Sequence, residues 1–157
     1  MSGRVVVVGV GNAFRRDDGA GPAVVEALRE RVPDDTVLRV SDGEVGRMLD
    51  LWCGADTVVV VESVRGRPAR PGRLHTLSVT EAATGASAST STHALGLGEC
   101  FALAHALDRL PRELVVHAVE VADVELGTGL SEAVRSALPA LIDRVLASVR
   151  EAYDHRP

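Results

Sequence analysis

The chain predicts a single-domain, three-layer α/β/α fold around a five-stranded, mostly parallel sheet with one antiparallel strand. Three observations predict it. Val5-Val6-Val7-Val8 and Thr57-Val58-Val59-Val60-Val61 are unbroken β-branched runs, the pattern of strands covered on both faces. Helical segments alternate with the strands along the chain, as in α/β proteins. One connection, from Arg65 to Gly72, consists almost entirely of Arg, Gly and Pro. It is too short to hold a crossover helix, so the strand that follows it must run antiparallel.

Each element has its own signal. Val5 to Val8 is the first strand. Gly21-Pro22 opens a helix to about Arg31, with Pro22 suited to the first turn and Val24, Val25 and Leu28 on one stripe. Pro33 ends it. Thr36 to Val40 is a shorter second strand, closed by the turn Ser41-Asp42-Gly43. Met48, Leu49, Leu51 and Trp52 mark a short helix that Gly54 terminates. Thr57 to Val61 is the central strand, with Glu62 at its end, and Leu74 to Val79 is the antiparallel one. Thr80 to Thr92 is rich in Ala, Ser, Thr and Gly and reads as a loop or lid. Thr92 is placed to cap a third helix, from about His93 to Leu110, which Pro111 stops. Leu114 to Val121 is the fifth strand. Ser131 caps a last helix that runs to about Ala152.

Composition narrows the function classes. The 157 residues suit one domain spanning 1–157. Hydrophobic residues make up 46% but aromatics only 3%, so Val, Leu and Ala must build the core. Seventeen basic against 22 acidic residues leave a net charge of -5, which argues against nucleic acid as a partner. No apolar run approaches the roughly 20 residues that span a bilayer. The N-terminus enters a strand without the regions of a signal peptide, so a cytoplasmic location with no membrane partner is expected. Cys53 and Cys100 lack the spacing of a disulfide framework or zinc knuckle; core packing is the expected role of both.

Four motifs could carry chemistry. Gly9-Val10-Gly11-Asn12 has the first two glycines of a dinucleotide fingerprint, but Phe14 stands where the third belongs and the helix starts about seven residues late. A nucleotide-binding role through the Gly9-x-Gly11 turn is the first alternative. Asp17-Asp18 precedes a helix, where the macrodipole stabilises acids; one of the pair is expected to cap and the other to face the cleft. Glu62 ends a central strand, where a buried charge is costly unless paired or metal-bound. His93 starts a helix after the small-residue loop. His75, His105, His117 and His155 have no such company and read as structural. An acid after strand one, an acid after strand three and an imidazole at a helix start form an oxygen, oxygen, nitrogen set. Such a set suits a borderline divalent ion such as nickel or zinc. No Gly-x-Ser-x-Gly elbow or Cys-His pattern supports a covalent hydrolase.

These residues resemble the hydrogenase maturation endopeptidases, which process the large subunit of nickel-iron hydrogenases. The matching stretches are Gly9-Val10-Gly11-Asn12, Asp17-Asp18-Gly19-Ala20-Gly21-Pro22, Ser41-Asp42-Gly43, the strand ending at Glu62, and His93-Ala94-Leu95-Gly96-Leu97. A weaker match is the Gly127-x-Gly129-Leu130-Ser131 turn. Together they run nearly the whole chain in order. The resemblance implies metal-contacting and catalytic roles for Asp18, Glu62 and His93, and a capping or orienting role for Asp17. It implies a metal-dependent or aspartic-type endopeptidase that removes a short C-terminal tail from a nickel-loaded hydrogenase large-subunit precursor. The nickel is then presented by the substrate rather than permanently bound, and the protease works as a monomer. A non-catalytic, nickel-checking chaperone of the same fold is the second alternative. The chain departs from the family at Glu62, where Asp is usual, at Glu44, where the turn often reads Asp-Gly-Gly, and at Val121, where a Pro is common.

Overall fold

The computed structural model describes residues 4–80 and 97–155. Their elements are β1 (Val5–Val10), a 3-10 turn (Arg16–Gly19), α1 (Ala20–Leu28), β2 (Val37–Ser41), α2 (Val45–Trp52), β3 (Thr57–Val64), β4 (Leu74–Thr80), α3 (Gly98–Ala106), β5 (Glu113–Glu120) and α4 (Glu132–Asp154). The strands form one sheet in the order β2-β1-β3-β5-β4. All neighbours are parallel except β4, which runs antiparallel to β5. The mostly parallel sheet with one antiparallel strand is therefore as the sequence predicts.

Strand alternation sorts the valines into two cores. Val7, Val59 and Val61 pack with Val24, Val25 and Leu28 of α1 and with Leu141 and Val145 of α4. Val6, Val8, Val58 and Val60 pack on the other face with Met48 and Trp52 of α2 and with Cys100 and Phe101 of α3. Helices thus cover both faces, which is why β1 and β3 need no polar side. A fully buried Val contributes roughly 1.5–3 kcal/mol over an exposed one. Many such residues offset the shortage of aromatic side chains.

Local chemistry sets the helix ends. The Glu44 side chain caps α2 by accepting from Gly46 N and Arg47 N, so the residue that departs from the family turn has a structural use. Ser131 caps α4 as expected, accepting from Val134 N. The third helix stops at Ala106, earlier than the expected Leu110, because Asp108 adopts a left-handed φ of 54°. The expected Thr92 cap, the 80–92 lid and His93 lie outside the described residues, apart from the backbone of Thr80 at the end of β4. Among the described residues no helix is long and apolar enough to cross a membrane.

The topology also locates a crevice. From β1 the chain moves to β2 on one side, and then to β3 on the other. The carboxyl ends of β1 and β3 therefore flank a topological switch point, where open α/β sheets bind ligands.

Candidate functional site

The first wall of this crevice is the glycine turn after β1. A Cβ on Gly9 would run into the carbonyl of Gly21, and one on Gly21 would lie 2.7 Å from Val10 N, Val10 O and Val61 O. Only glycines allow α1 to start this close to β1 and β3. Gly11 has φ 144° and faces the Asp18 carbonyl so closely that no side chain fits. Its N–H donates to Ser41 O at 2.9 Å. Close packing thus accounts for the glycines, and no phosphate is needed to explain them.

The two adjacent aspartates part company here. Asp17 is fully buried. Its Oδ1 accepts from Ser131 N at 2.7 Å, and its Oδ2 accepts from Ala122 N at 2.8 Å, Asp123 N at 3.1 Å and Ser131 Oγ at 2.8 Å. Burial pushes its carboxyl upward, but the donors at Ser131, Ala122 and Asp123 outweigh burial and hold it below the usual carboxylate range. It does not cap α1, whose N-cap Gly19 makes no side-chain cap bond. Instead it ties the turn after β1 to the segment leading into α4.

Asp18 is half-buried. Its Oδ2 accepts from Asn12 N at 2.8 Å and its Oδ1 from Ser63 Oγ at 3.1 Å. One donor comes from the β1 turn and the other from β3, so the carboxylate is oriented across the switch point. Each oxygen keeps a lone pair for a further partner. Nothing in the sequence marks Ser63 except its adjacency to Glu62.

Glu62 lies deeper than expected. The sequence puts it at the mouth of the strand, but β3 continues to Val64 because β5 runs alongside it, with Glu62 opposite Ala118 and Ser63 opposite Val119. The side chain is 7% exposed. Its Oε1 is sealed from solvent and has no hydrogen-bond partner among the described residues. Burial pushes the carboxyl up to about 8, so this acid is held mostly neutral near pH 7. Its charge, with those of Glu99 and Glu44, bears on the Cys100 thiol, which burial first pushes up. Glu62 thus belongs to the α2 and α3 side of the sheet.

Asp18 bonds Ser63, the residue next to Glu62, so both acids belong to the carboxyl end of the β1–β3 pair, although Ser63 and Glu62 alternate to opposite faces of β3. Among the described residues no three His, Cys, Asp or Glu side chains form a metal cluster; His93, the third expected ligand, is outside them. The unpartnered Glu62 Oε1 and the free lone pairs of Asp18 are each oxygen donors of the kind a cation takes. Asp42 stays at the rim, exposed, bonded to Glu44 N at 3.0 Å and to Arg47 Nη1 at 2.7 Å.

The other histidines have structural surroundings. His117 bonds Thr76 Oγ1 at 2.9 Å and Ser148 Oγ at 2.7 Å, and burial, then Arg144, pushes it down to about 4. His75 Nε2 is 2.7 Å from Glu120, and His105 stacks on Phe101.

With the geometry in place, comparison with known proteins decides the family. A family model for hydrogenase maturation proteases matches residues 22–148. The chain belongs to the hydrogenase maturation protease family. It is accordingly a hydrolase, a peptidase, in line with the resemblance read from its motifs. A hydrogenase 2 maturation protease from Escherichia coli is 26% identical over 151 residues, covering 95% of this chain and 92% of that protein. A hydrogenase expression/formation protein from Azotobacter chroococcum is 30% identical over 154 residues, covering 96% and 73%. A solved hydrogenase maturating endopeptidase from E. coli superposes with a TM-score of 0.79 at 25% identity, covering 95% and 93%. A hydrogenase 2 maturation peptidase from a Thaumarchaeota archaeon gives 0.71 at 28%, covering 93% and 97%. This family does not favour either alternative, the nucleotide-binding protein or the chaperone.

Proposed function

We propose that this peptidase removes a short C-terminal tail from the nickel-loaded large-subunit precursor of a nickel-iron hydrogenase, acting as a monomer in the cytoplasm. The observation that carries the reading is Glu62, a buried acid with an unpartnered oxygen at the switch point of a maturation protease. Nickel enters as part of the substrate. Asp18, Glu62 and His93 engage it, Asp18 through lone pairs left free by Asn12 and Ser63. A neutral Glu62 carries no buried charge while the crevice waits, and it loses its proton when a cation arrives.

Hydrolysis adds water across the scissile amide: the oxygen bonds to the carbonyl carbon, the C–N bond breaks, and the departing nitrogen gains a proton. Asp18 is the half-open carboxylate in the crevice. It can hold that water and take its proton as a general base. Its fixed orientation keeps the acceptor oxygen in place.

The test is the intact mass of the precursor after incubation with the protein. Loss of a C-terminal fragment is expected from nickel-loaded precursor, none from nickel-free precursor, and none with Asp18→Ala, Glu62→Ala or His93→Ala. Equal cutting by wild type and all three variants would remove the proposed roles.

A further inference from the structure

We infer that the loop between β3 and β4 is a specificity subsite for a carboxylate-bearing segment of the protein substrate. The carboxylates are either acidic side chains or the terminal carboxylate of the removed tail. The inference rests on the peptidase reading above and adds the chemistry that the protease recognises beside the cut.

The loop stands against the charge of the whole molecule. The chain carries a net -5, yet residues 65–73 hold Arg65, Arg67, Arg70 and Arg73 and no acid. All four are exposed. None of them makes an ion pair among the described residues, whereas Arg16, Arg29 and Arg47 each pair with a carboxylate. The Arg73 charge acts on Glu120, but Arg65, Arg67 and Arg70 have no carboxylate in contact among the described residues, and such a basic patch on an acidic protein suits an anionic partner.

The loop is also held in shape without using those guanidiniums. Beneath it, Glu120 is 2% exposed. Its carboxylate takes the Arg70 N–H at 3.0 Å and His75 Nε2 at 2.7 Å. Its backbone accepts from Gly72 N at 2.8 Å and donates to Arg73 O at 2.9 Å. Gly66 lies so close to Glu120 Oε1 that a side chain there would collide with it. Every anchor is backbone or His75. The heads of Arg65, Arg67 and Arg70 remain available, on a frame that need not order on binding.

Two adjoining clefts give the heads something to surround. One, of about 300 Å³, is lined by Arg65, Arg67, Arg70, Arg73 and His75, and by Glu120, whose carboxylate is already taken by His75 and the Arg70 N–H. The other, of about 440 Å³, lies between the loop and residues 121–125. Arg65 and Arg67 line both. The second cleft also has Asp123 and Glu125, but Asp123 faces Arg16 Nε at 3.5 Å. Arg65 follows the end of β3, three positions after Glu62, and three residues of extended chain span roughly 10 Å. A peptide held at Asp18 and Glu62 therefore reaches the arginines a few residues from the cut. Paired guanidiniums bind carboxylates in bidentate fashion. A long polyphosphate backbone, by contrast, would meet the repulsion of the acidic surface beyond the loop.

The test uses fluorescence anisotropy with the whole protein. The probes are a labelled acidic peptide with a free C-terminus, its C-terminal amide, its Asn/Gln counterpart and an oligonucleotide of equal charge. The acidic peptide should bind, and Arg65→Gln/Arg67→Gln should weaken it about tenfold. Loss of binding by the amide assigns the terminal carboxylate; loss by the Asn/Gln peptide assigns the side chains. In cleavage of nickel-loaded precursor, the same variant should raise KM about tenfold and leave kcat unchanged. No binding of the acidic peptide, equal binding by the variant, or tighter binding of the oligonucleotide overturns the inference. If wild type leaves the precursor uncut, the peptidase reading fails, while anisotropy still decides the loop.

Discussion

Asp17 and Glu62 are both buried carboxylates at the carboxyl edge of the same sheet, and the protein treats them in opposite ways. Asp17 collects four hydrogen bonds from Ala122, Asp123 and Ser131, and its proton affinity falls despite complete burial. Glu62 has an oxygen with no partner among the described residues, and its proton affinity rises. Burial alone therefore says nothing about the role of an acid. The supply of donors decides: a satisfied carboxylate holds segments together, and an unsatisfied one is kept for something that arrives.

The sharpest way to break this comparison is to remove the satisfied member. Asp17→Ala leaves the N–H groups of Ala122, Asp123 and Ser131 without their acceptor, and unmade bonds to a buried charge are expensive. The expected loss is about 3–5 kcal/mol in urea unfolding. A loss below about 1 kcal/mol would mean that Asp17 does not hold the α4 entry in place.

Glu62→Gln should do the reverse. Around pH 8 and above it should stabilise the fold by about 2–4 kcal/mol, since the neutral amide avoids a buried charge. The sign follows from linkage. With a folded value of about 8 against an ordinary 4.5, the favourable contribution of Glu62 is complete below 4.5 and is lost as pH rises to about 8. Asp17, held low, contributes stability above its ordinary 3.8 that disappears as pH falls through its lower folded value. Urea midpoints followed across pH should therefore show an acid-side loss absent from Asp17→Asn and a neutral-range decline absent from Glu62→Gln.

Ser63→Ala should have the smallest effect on stability, about 0.5–1.5 kcal/mol for one hydrogen bond to a half-buried carboxylate. Its effect on function should be larger, because Asp18 loses the donor that orients it. A drop in kcat for precursor cleavage with KM little changed is expected. An unchanged kcat would mean that Asn12 N alone is sufficient.

Much of the fold was legible because its signals are local. The valine runs announce β1 and β3, Gly21-Pro22 announces α1, and the short arginine-rich connection forces β4 to run antiparallel. The site was legible only in part. Asp17 and Asp18 are neighbours of one residue type, and what separates them lies 105 and 114 residues away, at Ala122 and Ser131. The sequence puts Glu62 at the strand mouth because the apolar run stops at Val61. The strand continues because pairing with β5 continues, and pairing of distant strands leaves no mark in a local pattern. Glu44 is read as a family departure until its side chain is seen capping α2.

The most direct measurement is the mass of nickel-loaded hydrogenase large-subunit precursor after incubation with Glu62→Gln, alongside the melting temperature of the variant. The account predicts a protein at least as stable as wild type that releases no C-terminal tail. A variant that trims the precursor at the wild-type rate would contradict it, and Glu62 would then be a buried acid with no part in the reaction.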